Sequence, residues 1–212
     1  MPARAGSPTI LVRSAGLALQ PDRPTARRAG ARTSAPSSLK RVEPVAASGA
    51  IEVRLARAVD AEAIRTIYNA EVTGSTVTFD MVPRTLEEQL AWLASHDGAH
   101  PAIVATGPSG RIVGFGSLSP YRPRPAYRTT VEDSVYVDRA LRGAGVGRIL
   151  LEELVSLAQL HGFHAVMARI VGGHETSIGL HRSCGFELVG IEREVGRKFG
   201  KWLDVALMQC LI

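Results

Sequence analysis

Residues 131–155 read VEDSVYVDRALRGAGVGRILLEELV. The stretch opens as a strand-like pattern, passes through a glycine cluster and continues as a helical pattern from about Val146 to His161, where Gly162 stops it. Three readings of the glycine turn compete. A phosphate loop of the ATPase kind needs a lysine and a hydroxyl after its last glycine to meet phosphate and magnesium, and neither follows Gly147. A dinucleotide fingerprint needs a third glycine where Arg148 stands, and an acid at the end of the next strand; that strand, HAVMARIV, ends without one. What remains is a turn of backbone N–H groups feeding a helix N-terminus, where unpaired amides and the helix dipole favour an anion such as a pyrophosphate. A helix-start turn with no ligand fits the same seven residues.

The flanking sequence sets the architecture. IEVRLARA, from Ile51, alternates as a half-buried strand does, and Asp60 then stands as an N-cap before the helical AEAIRTIYNAEV. A polar loop and STVTFDMVPRT lead to a second helix, LEEQLAWLASH, with Leu86, Leu90 and Leu93 on one face and Gly98 as its stop. PAIVATG and RIVGFGSLS read as strands joined by a PSG hairpin turn. After the central stretch come the strand HAVMARIV, a short helix ETSIGLHRSC, and a closing pair of strands in GFELVGIEREVG and KWLDVALMQCLI. Hairpin-length links outnumber helical crossovers, so an α/β (α+β) domain is expected, with a mixed, mostly antiparallel sheet flanked by helices.

The formal charge of +5 would suggest an anionic partner if it were spread over the fold, but it is not. Eight basic residues against Asp22 and Glu43 give residues 1–50 a net +6, which leaves −1 for residues 51–212. A nucleic-acid reading therefore loses its main support. Residues 1–48, rich in Ala, Arg, Ser and Pro and poor in acids, have too little apolar surface to offset ordering entropy and are expected to be disordered. The same composition suits an organelle transit peptide or an upstream-assigned start. The domain is expected over residues 49–212. Cys184 and Cys210 have neither disulfide nor zinc spacing, which points to a reducing, cytoplasmic setting, and six histidines without clustered acids or cysteines give no metal site. The early apolar run PTILVRSAGLAL is interrupted by Arg13 and too short for a membrane span.

Read together, the neighbours of the glycine turn carry a resemblance. Arg142-x-x-Gly145-x-Gly147, between the strand SVYVD and an amphipathic helix, resembles the acetyl-CoA loop of the GCN5-related N-acetyltransferases, and SIGLHRSCGFELVG (177–190) resembles their second cofactor segment. STVTF (75–79), YRPRPAYRTTVEDSVYV (121–137), LHRSCGF (180–186) and GRKFGKWLDV (196–205) are similar to the phosphinothricin and methionine sulfoximine or sulfone acetyltransferases within that superfamily.

The resemblance implies direct acetyl transfer from acetyl-CoA, as cosubstrate, to the α-amine of a small amino acid. Backbone amides of Gly143, Ala144, Gly145, Val146, Gly147 and Arg148 would cradle the pyrophosphate, with Arg142 and His174 beside them. Pantetheine would pair with the strand edge at Val135, Tyr136 and Val137, where a backbone donor also polarises the thioester carbonyl. Glu132 is the expected general base and His181 the group that serves the leaving thiolate. Arg122 and Arg124 alternate along a proline-stiffened segment and are expected to clamp the acceptor's anionic groups, with Tyr127, Ser134 and Phe79 completing its pocket. Phe79, Lys198 and Trp202 would wall the pocket or form contacts in a homodimer. His174 departs from the asparagine common among relatives, although an imidazole still donates one hydrogen bond. The Arg-rich loop argues against a polyamine acceptor.

Overall fold

Neighbouring strands of the sheet run antiparallel with one exception. The computed structural model describes residues 51–212; the extension expected to be disordered lies outside the described residues. Seven strands line up in the order β1 (Glu52–Leu55), β2 (Ala102–Thr106), β3 (Ile112–Pro120), β4 (Thr130–Val137), β5 (Ala165–Val171), β7 (Lys201–Leu211), β6 (Glu187–Lys198). Every pairing is antiparallel except β4 with β5, which the crossover helix α3 (Val146–Leu160) makes parallel. No described helix is long and apolar enough to cross a membrane.

One face of the sheet packs against α3, which buries Val146, Leu150, Leu151, Leu154 and Ala158, the spacing of a single helical stripe. The close fit depends on β3. A Cβ at Gly116 would stand 2.9 Å from Leu154 Cδ1 and 3.1 Å from the Ser134 carbonyl oxygen, so only glycine lets the helix approach. The other face carries α1 (Ala61–Gly74) and α2 (Leu86–Ala94) over Ile64, Tyr68, Val104 and Phe115. The short α4 (Glu175–Ser183) follows β5 on the α3 side, with Ile178 and Leu180 against that core.

Two local expectations change. Asp60 precedes α1, but its carboxylate does not cap that helix: it accepts from Arg57 N at 2.7 Å and from the Arg54 guanidinium at 2.7 and 2.8 Å. In α2 the inward face is not Leu86 and Leu90, which are 45% and 38% exposed, but Gln89, Trp92 and Leu93. The helix starts at a reciprocal cap between Thr85 and Glu88, and Trp92 sets its rotation by meeting Phe115 edge-on at 6.0 Å. The indole offers more apolar area than either leucine, and Leu93, one residue on, packs beside it.

Candidate active site

The parallel pairing of β4 and β5 is brief. Thr130, Val131 and Glu132 pair with Ala165, Val166 and Met167, and there it ends, although both strands continue. On its other edge β4 stays paired with β3 through Val137. The β5-facing backbone groups beyond Glu132 therefore border a wedge, and the wedge opens into a cavity of about 650 Å³, within the range typical of small-molecule sites.

Its walls come from six segments: Val77–Phe79 after α1, β4 from Glu132 onward, the glycine turn with the start of α3, β5 beyond Met167, α4 with the residue before it, and Val205 on β7. The structure brings to this wall Phe79, Glu132, Ser134, Val135, Tyr136, Val137, Arg142, Gly143, Gly145, Val146, Gly147, Arg148, His174 and His181. Ala144, Arg122, Arg124 and Tyr127 are not part of it. The last three lie on an exposed loop, where Arg122 stacks over the Tyr121 ring at 4.9 Å and Tyr127 meets that ring edge-on at 5.6 Å.

Gly145 caps α3 with φ +85°, a conformation that excludes most side chains, and a Cβ there would project into open space. This is the form of a cradle: a helix N-terminus, whose first amides lack the usual partner four residues back, bordering the cavity. The amide of Arg148 is already spent on the Gly145 carbonyl at 3.1 Å. The guanidinium groups beside the turn are held by acids, Arg148 by Glu152 and Arg142 by Glu71, both at 2.7 Å.

Glu71, on α1 and 2% exposed, joins two walls of the cavity. Its Oε1 also accepts from Arg139 Nε at 2.8 Å, and its Oε2 accepts from Ser75 Oγ at 2.7 Å. Burial raises its pKa, but these partners and Arg142 more than offset this, so the carboxyl titrates below its ordinary range. Next along the chain, the Thr78 carbonyl accepts from the buried Lys198 ammonium at 2.8 Å, whose pKa burial pulls down. The Phe79 ring lies where a Cβ on Gly196 would collide with it, and Trp202 is 60% exposed.

Consecutive carboxylates on β4 face opposite sides of the sheet, as strand alternation requires. Burial pushes the Glu132 carboxyl above its usual range; Arg169 pulls it back, Asp133 adds to the rise, and Arg122 opposes it again. Asp133 faces α4 and meets His181, both almost fully buried: Nε2 lies 3.1 Å from Asp133 Oδ2, and Nδ1 is 2.8 Å from the Ser177 carbonyl. A carbonyl accepts only, so Nδ1 carries a hydrogen, and beside a carboxylate Nε2 carries one too. Burial alone lowers the imidazole pKa, but the Asp133 contact and the Ser177 carbonyl outweigh it and raise it overall. Asp133 Oδ1 is buried without a partner. His174 caps α4 and reaches Thr76 Oγ1 at 3.5 Å.

Asp133, Glu71 and Arg169 escape the sequence reading. A charged residue among apolar neighbours on a buried face was the available signal for the first two, since buried charges require partners. Their partners stand 48 and about 70 positions away, beyond any local pattern.

The cavity thus sets a strand edge left unpaired beside a glycine-capped helix. Residues 53–207 match the acetyltransferase (GNAT) domain family, and the chain belongs to that family of acetyltransferases. Among its relatives, the L-methionine sulfoximine/L-methionine sulfone acetyltransferase of Pseudomonas paraeruginosa is 40% identical over 158 residues, which is 74% of this chain and 92% of the relative. The phosphinothricin N-acetyltransferase of Streptomyces coelicolor is 41% identical over 159 residues, 74% of this chain and 93% of the relative. The fold is similar to that of a phosphinothricin acetyltransferase from Sinorhizobium meliloti solved in complex with acetyl-CoA, with a TM-score of 0.74 and 38% identity over 76% of this chain and 88% of that one.

Proposed function

We propose that this protein moves the acetyl group of acetyl-CoA to the α-amine of a small amino acid of the phosphinothricin or methionine sulfone type. The observation that carries the reading is the wedge between β4 and β5, which runs from the amides at Gly145 to the Glu132 carboxylate. The cradle suits the donor's pyrophosphate, and the open edge of β4 at Val135–Val137 suits its peptide-like arm. Acetyl-CoA, when bound, supplies the activated carbonyl.

This chain's residues then have three tasks. Glu132 takes a proton from the acceptor's ammonium, directly or through a water, and its raised pKa makes it a stronger base than an exposed glutamate. Backbone N–H groups along β4 polarise the thioester oxygen, an effect worth about 2.7–4 kcal/mol when preorganised. His181, carrying hydrogens on both nitrogens, delivers the one on Nε2 to sulfur as the C–N bond forms and the C–S bond breaks, and the second amine proton, shed as the amide nitrogen becomes neutral, passes to solvent, from which the imidazole is recharged. The imidazole left behind presents a bare Nε2 to the Asp133 carboxylate, which favours its reprotonation for the next cycle. Arg122 and Arg124, on the exposed loop, receive the charged or sulfone end of the acceptor's side chain.

A homodimer belongs to the same proposal. β6 is an edge strand whose Val189, Ile191 and Val195 are at least half exposed, as is Trp202 on β7, an apolar surface of the kind a second copy covers. Two unpaired thiols agree with a cytoplasmic setting.

The test is thiol release from acetyl-CoA against a panel of phosphinothricin, methionine sulfoximine, methionine sulfone, spermidine and a short peptide. Turnover confined to the amino acids is expected. Turnover of spermidine or the peptide alone would overturn the acceptor assignment. Light scattering after size exclusion gives the assembly, and a monomer at micromolar concentration would remove the dimer.

A further inference from the structure

Three arginines reach the cavity, and they are not equivalent. Arg142 and Arg148 flank the glycine turn. Arg169 stands at the opposite end, on β5 two residues past Met167, the partner of Glu132, and so on the same sheet face as that carboxylate. It is the one arginine on the cavity wall within reach of the proposed base.

Arg169 is engaged, but loosely. Its Nη2 lies 2.8 Å from Glu192 Oε2 on β6, and Nη1 donates to Oε1 at 3.4 Å, with the two side chains 31% and 29% exposed. The Nη2 contact is off the N–H axis, so the buried Oε2 receives no directed hydrogen bond. A bulge between Glu192 and Gly196, pinned where Glu194 N donates to Asp204 Oδ1 at 2.8 Å, interrupts the ladder next to Glu192. A guanidinium and a carboxylate from separate strands therefore meet beside the cavity wall that holds Glu132.

Adjacent strands lie about 4.8 Å apart and two residues advance about 6.6 Å, so the Cα atoms of Glu132 and Arg169 are separated by roughly 8 Å or somewhat more where the strands part. Both side chains rise from the same sheet face beside the cavity, which lets an α-amino acid between them turn its amine to the carboxylate and its own carboxylate to the guanidinium.

We propose that Arg169 receives the α-carboxylate of the acceptor, and that Glu192 holds that place until the acceptor displaces it. The inference rests on the amino-acid reading above and divides the anion recognition: Arg169 takes the group shared by all α-amino acids, while the exposed arginine loop takes the variable end.

The experiment compares Arg169→Met and Glu192→Gln with the parent enzyme, using L-methionine sulfone and its α-carboxamide as acceptors and acetyl-CoA as donor. Arg169→Met is expected to raise the KM for the amino acid about ten- to a hundredfold, the equivalent of one lost charge-assisted contact. The KM values for acetyl-CoA and for the carboxamide should stay as they were, while any change in kcat from the loss of the Arg169 charge beside Glu132 should be alike for both acceptors. Glu192→Gln removes the internal competitor and should lower the amino-acid KM severalfold. Opposite signs from the two halves of one ion pair are the signature that a merely structural pair lacks. Shifts in the same direction, or an equal effect of Arg169→Met on the KM for the carboxamide, overturn the inference. If Arg169→Met does not fold, the sign of the Glu192→Gln shift still decides. A parent enzyme that acetylates no amino acid fails the proposed function itself, whereas turnover with an unmoved Arg169→Met KM fails this inference alone.

Discussion

Replacing Asp133 by asparagine keeps the side chain's shape and removes the charge that faces His181. In the parent protein the two side chains are 2% and 6% exposed, and the imidazole pKa is raised in the fold. A group whose folded pKa is raised contributes stability that is fully present below the unfolded value, about 6.5 for histidine, and lost as pH rises through the folded value. A charged hydrogen bond is worth about 1.5–3 kcal/mol, but the variant's histidine can shed its proton for about 0.7 kcal/mol at pH 6, which limits the damage. The neutral ring then accepts at Nε2 from the asparagine amide, while Nδ1 keeps the Ser177 carbonyl. A loss of about 2 kcal/mol at pH 6 is therefore expected, shrinking to under about 0.5 kcal/mol by pH 9, where charging His181 in the parent itself costs more than the pair returns. Urea denaturation of both proteins at pH 6, 7.5 and 9 measures this directly. An equal loss at all three values, or a larger one at pH 9, would refute the imidazolium–carboxylate assignment.

Glu132→Gln should lower kcat by about 10²–10⁴ while calorimetry finds acetyl-CoA affinity unchanged, and the parent's kcat/KM should fall on the acid side at a pH above the ordinary glutamate value of about 4.3. Gly145→Ala places a Cβ in the left-handed region at a cost of about 1–2 kcal/mol and in the space meant for the donor, so thermal stability and acetyl-CoA affinity should both drop. Gly162→Ala, with φ +76° and no role in the cleft, should show the stability loss without the affinity loss. Glu71→Gln should cost about 1–3 kcal/mol in urea denaturation, since its arginine partners are about half exposed, and should weaken donor and acceptor binding together because Glu71 joins both walls.

Repetition made most of the elements legible. Val146 through Leu160 carries a helical stripe long enough to overwhelm competing signals, and the strands on either side of PSG are joined too closely to be anything but a hairpin. The glycine turn was legible because conformational demand acts on residue type at one position. Short or contested segments were not. Leu86 and Leu90 were as good a face as Gln89 and Trp92 until Phe115, 23 residues beyond Trp92, chose between them. The site divided in the same manner: Glu132 and His181 stand in recognisable phrases, whereas the Asp133–His181 pair and the Glu71 junction exist only once distant elements meet. The arginines of the proline loop drew attention through composition, while Arg169, a single charge within an apolar strand, carried no local pattern to mark it.

The early end of the β4–β5 ladder gives the two substrates unequal exposure to mutation. On the proposed reading the donor is gripped by main-chain amides, atoms that every residue possesses, so substitutions along Val135–Val137 leave those contacts standing. The acceptor, on the same reading, is gripped by Glu132, Arg169 and the arginine loop, through atoms that a single codon change deletes. Drift in this chain would therefore rewrite which amine is acetylated long before it altered what supplies the acetyl group.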